Sequence, residues 1–228
     1  NTDAYQPTER KLRLTRSVLE VCARWSQPIG LITKSALIAR DIDILAPMAE
    51  KNLARAAISI TTLDRTLARK MEPRAATPQR RLDAVKALSE AGVPVTVMVA
   101  PIVPGLTDHE LESILEAAAK AGALSAGYVA LRLPHEIADL FQEWLSGAYP
   151  DRAQKVLNQI RQMRGGKLYD SRWGERMTGT GPWAHLIAQR FRRACSEFGL
   201  NERRRHYDLS RFAPPDGFSS QTGQYSLF

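Results

Sequence analysis

The sequence predicts an α/β fold: a partial barrel of parallel strands with outer helices, continued by a basic helical extension. Two observations predict it. Along residues 1–149 the apolar residues switch repeatedly between helical spacing and short β-rich runs, which is the pattern of strands joined by crossover helices. The charge also divides unevenly, with 18 Lys and Arg against 17 Asp and Glu in residues 1–149, but 14 against 7 in residues 150–228.

The elements follow in order. The chain opens on Asn-Thr-Asp, a cluster suited to finishing a strand, with no cap or turn into a first element. RLTRSVLEVCARW has apolar residues at helical spacing, and PIGLITKS follows it as a first short strand. LIARDIDILAPMAEKN reads as a helix disturbed at Pro47, and ARAAISITT as the next strand. TPQRRLDAVKALSEAG begins on a Thr cap with Pro just inside and stops at Gly92, so it is a well-marked helix. VPVTVMVAPI is a buried strand, TDHELESILEAAAKAG a further helix and SAGYVALRL the fourth strand. Beyond them, YPDRAQKVLNQIRQMRGG is a helix closed by paired glycines and KLYDSRWGERMTGTGPW a loop. PWAHLIAQRFRRACSEFGL is a basic amphipathic helix. This gives three regions: a barrel portion at 1–149, a basic helical extension at 150–212, and a Gly/Ser-rich tail at 213–228 that reads as a flexible tether.

With 228 residues, 44% hydrophobic and 25% charged, the chain can bury a sizeable core. Its longest apolar run, VPVTVMVAPIV, is broken by Pro94, Thr96 and Pro101 and is too short to span a bilayer. Two distant cysteines, Cys22 and Cys195, suggest a reducing, cytoplasmic setting rather than a disulfide framework. The histidines lack metal-ligand spacing. The net charge of +8 resides almost wholly in the C-terminal part, either as a footprint for a polyanion such as nucleic acid or as a solvated surface.

Parallel sheets of this kind place their chemistry at the carboxyl ends of the strands. Those ends are Thr33-Lys34-Ser35, Ser59 to Thr62, Ala100 to Gly105 and Leu131 to Glu136. The ordered series NTDAYQPTE, LITKSALI, ISITTLD, EPRAATPQRRLDAVKALSEAGVPVTVMVAPIVPGLTD and AGYVALRLP resembles the radical S-adenosylmethionine (SAM) proteins. It is most similar to the branch related to spore photoproduct lyase, often labelled DNA repair photolyase-like, and the resemblance spans residues 1 to about 200. It implies a partial (β/α)6 barrel and a four-iron four-sulfur cluster on a three-cysteine loop after the first strand. There SAM is reduced to a 5′-deoxyadenosyl radical that abstracts hydrogen. Cys22 and Cys195 cannot supply three closely spaced thiolates. The family pattern would place the cysteine loop and two strands before Asn1, so the chain reads as a fragment, expected to bind no cofactor and to be inert alone.

The resemblance also implies site residues. Thr2 and Asp3 occupy the place that holds the SAM amino group, and Lys34 the place of a cation facing its carboxylate. Ser59 and Thr61 alternate on one strand face, spaced to bond ribose hydroxyls or the carboxylate, although Thr is also common in plain strands. Ala100, Ile102 and Val103 stand where main-chain groups cradle adenine, stiffened by Pro101 and Pro104. The same segment, PGLTDHE, also reads as a turn and an N-cap. Glu72 and Arg74 flank Pro73 in a rigid loop at the mouth, Arg80 and Arg81 begin the following helix, and Arg74 or Arg80 is a candidate to touch SAM or a phosphate. Arg132 faces substrate or closes a rim salt bridge.

In the extension, Arg172, Trp173 and Arg176 mix cations with aromatics, as a nucleic-acid clamp would, or as a loop covering the barrel mouth would. The terminal QYSLF resembles the motif that docks bacterial polymerases and repair proteins on the sliding clamp, with Gln224, Leu227 and Phe228 as its anchors. A truncated sheet would leave an edge open to homodimerisation. The leading function is thus radical SAM chemistry on nucleic acid. Against it stand a non-catalytic nucleic-acid or clamp-binding module on an α/β scaffold, and an ordinary α/β-barrel enzyme with a phosphorylated substrate.

Overall fold

A computed structural model describes residues 3–203 and 205–214. Along the chain, α1 (Glu9–Leu12) and α2 (Leu14–Arg24) lead to β1 (Ile29–Thr33), then α3 (Ile42–Glu50) to β2 (Ala54–Ser59). Helices α4 (Arg65–Met71) and α5 (Pro78–Glu90) precede β3 (Val95–Ile102), and α6 (Leu111–Lys120) precedes β4 (Ser125–Ala130). Helices α7 (Ile137–Ala148), α8 (Pro150–Gln162) and α9 (Gly181–Glu197) follow. The four strands form one parallel sheet in sequence order, as the alternating pattern predicts. Ile32 lies opposite Ala57 and Ala57 opposite Thr96, so these side chains share one face.

The local chemistry explains the elements and four departures from the sequence reading. Thr77 caps α5, with Pro78 at its first position. Helix α4 escaped the periodicity because it has only seven residues, yet Asp64 announces it by accepting from the amides of Thr66 at 2.7 Å and Leu67 at 3.2 Å. Helix α7 was also missed: its apolar stripe is only partly covered, leaving Leu140 exposed. The disturbance expected at Pro47 falls earlier. Residues Ala36–Asp41 form a 3-10 turn, and Pro47 sits inside α3, forfeiting one backbone bond without ending the helix. Nor is the opening without a turn, because Asp3 Oδ1 accepts from the Tyr5 amide at 2.8 Å.

One face of the sheet carries the main core. Ala54, Ala56, Ile58, Val95, Val97 and Val99 pack with Leu45, Met48, Leu88, Ile114 and Leu115 from α3, α5 and α6. Each fully buried Leu, Ile or Val contributes roughly 1.5–3 kcal/mol. Helix α9 joins the same layer through Ile187 and Ala194, the Tyr128 and Phe191 rings lying 4.8 Å apart. Helix α8 shares a second core with the loops above the strands, through Val156, Ile160, Val103, Leu106 and Leu133. Packing therefore runs across the charge division near residue 149.

The opposite face is less covered, with Ile32 65% exposed. At its lower end the C-terminal stretch crosses over it. The Arg55 guanidinium stacks 4.2 Å from the Tyr207 ring, and a Cβ on Gly30 would fall 2.8 Å from the Tyr207 hydroxyl oxygen. The β4 edge is closed: the Asn201 side chain accepts from Ala126 N at 2.9 Å and donates to Ala126 O at 3.1 Å, while Ala130 N donates to Met177 O at 2.8 Å.

Candidate functional site

The site begins where the opening turn meets the end of β1. Asp3 Oδ1 accepts from the Thr33 hydroxyl at 2.5 Å, and Oδ2 from the Lys34 amide at 2.8 Å. The carboxylate thereby fastens the turn to the strand tip. Tyr5 reinforces it by donating its hydroxyl to the buried Asp41 at 3.2 Å. Thr2 lies outside the described residues.

Lys34 does not stand free. Its ammonium pairs with Glu72 Oε1, while Arg81 donates to Glu72 Oε2 at 2.6 Å. Thr61 donates from one hydroxyl toward Glu72 and the carbonyl of Ala100, both at 3.2 Å. Arg81, only 2% exposed, also reaches Ser59 O at 2.9 Å and Ala76 O at 2.8 Å. Glu72 is thus a hub linking the ends of β1, β2 and β3. Burial pushes its carboxyl up, but Lys34 and Arg81 outweigh burial and hold it below the ordinary glutamate range. The sequence places Glu72 and Arg81 in a polar loop and the helix after it, with no sign that they form the hub. The buried charge of Arg81, at the third position past a Thr-Pro cap, carries no periodic signal.

Among the adenine candidates, Ile102 and Val103 are buried and their main-chain groups serve the chain itself. Ile102 O accepts from Leu131 N at 2.9 Å, and Val103 N donates to Thr107 Oγ1 at 2.9 Å. Ala100 is part-exposed, with its carbonyl held by Thr61. The turn expected of this segment forms, with Gly105, at φ 72°, donating to Asp108 Oδ1 at 2.7 Å. The N-cap does not, because the Thr107 and Asp108 side chains accept from Val103 N and Gly105 N rather than from the amides of the next helix.

A cleft of about 590 Å³ opens beside the hub, lined by Asp3, Lys34, Ser35, Arg40, Arg74 and Arg80, and by Arg10, which sequence reasoning passed over. Arg40 is committed to Glu9 and Asp41, whereas Arg10, Arg74 and Arg80 make no ion pair among the described residues. The structure therefore gathers Asp3, Lys34, Arg74 and Arg80 in one cleft. It sets Ser59 and Thr61 behind the Glu72 hub, 7% and 2% exposed.

The rim beyond β4 carries the remaining candidates. Arg172 grips Asp170, which falls to a pKa of about 2 beside it, and reaches Glu175 at 2.8 Å. The Arg176 guanidinium lies 4.3 Å from the Trp173 ring centre. Arg132 points its terminal nitrogen at Met177 Sδ, 3.6 Å away, so the rim salt bridge weighed for it does not form among the described residues. Buried Arg164 holds this loop down by donating to the carbonyls of Glu175, Arg176 and Leu131. Gln224, Leu227 and Phe228 lie outside the described residues.

The cysteines do not fit an iron–sulfur cluster. Cys22 lies on α2 and Cys195 on α9, burial pushes both thiols up, Cys195 to about 11, and a cluster ligand must be a thiolate. Among the described residues no group of three His, Cys, Asp or Glu side chains could hold a metal, and no helix is long and apolar enough to cross a membrane.

The model of the radical SAM superfamily matches residues 3–118, from the opening turn through α6. The chain belongs to the radical SAM superfamily. This radical SAM chain is 34% identical over 163 residues to an uncharacterized protein of Mycobacterium tuberculosis, covering 71% of itself and 48% of that protein. To an uncharacterized protein of Methanocaldococcus jannaschii it is 30% identical over 109 residues, 48% of this chain and 40% of that one. It thus spans about half the length or less of these relatives. Solved structures of spore photoproduct lyase share its fold. A cysteine-to-serine mutant superposes with a TM-score of 0.59 at 17% identity, covering 85% of this chain and 56% of that chain. A cysteine-to-alanine mutant with dinucleoside spore photoproduct gives 0.56 at 18%, covering 82% and 55%. By charge alone Arg74, Arg80 and Lys34 would suit the carboxylate of SAM and Asp3 its ammonium, with Lys34 shared with Glu72 and Asp3 also accepting from Tyr5 N, Thr33 Oγ1 and Lys34 N.

Proposed function

We propose that the chain forms the later strands of a radical SAM enzyme acting on nucleic acid, with the basic extension on the substrate side. One observation carries the reading: the carboxyl ends of the strands open on a cleft that gathers Asp3, Lys34, Arg74 and Arg80, backed by the Glu72–Arg81 pair. SAM supplies the 5′-deoxyadenosyl group in this superfamily. Lys34 and the cleft arginines neutralise its carboxylate, Asp3 receives its ammonium, and Glu72 keeps Lys34 oriented. Buried behind the hub, Thr61 fixes Glu72 in turn.

The nucleic-acid part of the reading draws on the C-terminal charge excess, the Trp173 and Arg176 pair, and the fold shared with a lyase solved with a dinucleoside photoproduct. The superfamily match weighs against a purely scaffolding module. Because Cys22 and Cys195 do not fit a cluster, residues 1–228 cleave no SAM by themselves.

The test is reconstitution of the intact protein that contains this chain with iron and sulfide, then reduction in the presence of SAM. 5′-Deoxyadenosine, released by the intact protein and not by residues 1–228 alone, is the expected result. An intact protein that neither binds nor cleaves SAM contradicts the reading.

A further inference from the structure

Trp173 is 84% exposed, although the backbone that carries it is tightly fixed. Arg164, itself 2% exposed, donates to Glu175 O at 3.0 Å and Arg176 O at 3.1 Å, and Met177 O is bonded to the end of β4. Successive turn bonds, from Glu175 N and Arg176 N to Arg172 O, complete the fixing. An indole held out on a rigid loop forgoes the burial that a Trp ordinarily gains. One of its faces is occupied by the Arg176 guanidinium at 4.3 Å, which leaves the other face for a flat partner.

The surroundings select that partner. Arg132 lies against Met177 of the same loop, and its buried Nε has no hydrogen-bond partner among the described residues. Lys167 lines a neighbouring hollow of about 390 Å³ with Tyr169 and Arg172. The segment from residue 150 onward carries twice as many cations as anions. A flat ring attached to an anionic chain answers both features, and a duplex keeps its bases stacked inside.

We infer that Trp173, backed by Arg176, is a stacking platform for an unstacked base of single-stranded nucleic acid, with Arg132 and Lys167 taking its phosphates. The inference rests on the nucleic-acid reading above and adds the form of the substrate: the base is presented out of the stack, beside the end of β4.

The experiment compares the intact protein and its W173A, W173F and R132A variants for binding to a short oligothymidylate, to an abasic oligomer of equal length, and to a duplex. The platform predicts that W173A weakens oligothymidylate binding about tenfold or more, while W173F keeps most of it. It also predicts that W173A leaves abasic and duplex binding within about twofold, and that R132A lowers the salt dependence on both single-stranded oligomers. Unaltered melting of W173A confirms an intact fold. Equal oligothymidylate affinity for wild type and W173A, or equal losses on the abasic oligomer, overturns the platform alone. Wild-type protein that binds no oligomer overturns the nucleic-acid reading beneath it. Binding to polyglutamate that requires Trp173 assigns the loop to an acidic protein instead.

Discussion

Arg81 Nη2 lies 2.6 Å from Glu72 Oε2, and the other oxygen of that carboxylate holds Lys34. One largely covered carboxylate thus pairs with two cations contributed by different strand–helix units. Removing it leaves Arg81 buried and unpaired, so Glu72→Ala costs about 3 kcal/mol in urea unfolding. Glu72→Gln, which retains hydrogen-bonding atoms, costs less.

The same carboxylate sets a pH dependence. Glu72 is held below its ordinary value, so the unfolded chain binds the proton more readily than the folded one. Its stabilisation is fully present above the unfolded value of about 4.3 and is lost as pH falls through the lower folded value. The urea midpoint of the wild-type chain therefore drops as pH is taken below about 5. In Glu72→Gln the slope is shallower, with Asp41, depressed beside Arg40 and Arg16, supplying part of the remainder.

Asn201 closes β4 by mimicking a neighbouring strand at Ala126. Asn201→Ala removes both bonds and bares the edge, at a cost of about 1–2 kcal/mol. Light scattering that rises with protein concentration in the variant, and not in the wild type, is the accompanying sign of edge pairing.

Gly30 and Tyr207 are matched in size across the lower sheet face. Gly30→Ala pushes its methyl into the Tyr207 hydroxyl and destabilises by about 1 kcal/mol. In the Tyr207→Phe background the same substitution costs less, and a double-mutant cycle by thermal unfolding measures that coupling.

Much of the fold is legible because the strands are short apolar runs, β1 and β3 entered through Pro28 and Pro94, and because Thr77-Pro78 marks α5 plainly. The strand tips can be read from the same boundaries, but Asp3 and Lys34 stand out through the family resemblance and Arg74 and Arg80 through the polar cluster around Pro73, and the cleft that unites them is not legible. What escapes is side-chain pairing across distance. Nothing in local pattern joins Glu72 to Lys34, 38 positions away, or Asn201 to Ala126, 75 positions away. Helix α4 hides for a different reason: seven residues are too few for a period to declare itself. The main-chain groups of Ile102 and Val103 look available in the sequence only because the turn that consumes them is built by Thr107 and Leu131.

The central claim is that the strand-end cleft receives SAM through Lys34. Calorimetric titration of SAM into the reconstituted intact protein and its Lys34→Met variant tests this most directly. The account predicts SAM affinity at least about tenfold weaker in the variant, as expected for loss of a charge-assisted contact, in a protein that still unfolds cooperatively because Arg81 keeps its pair with Glu72. Equal SAM affinity in the two proteins would contradict it.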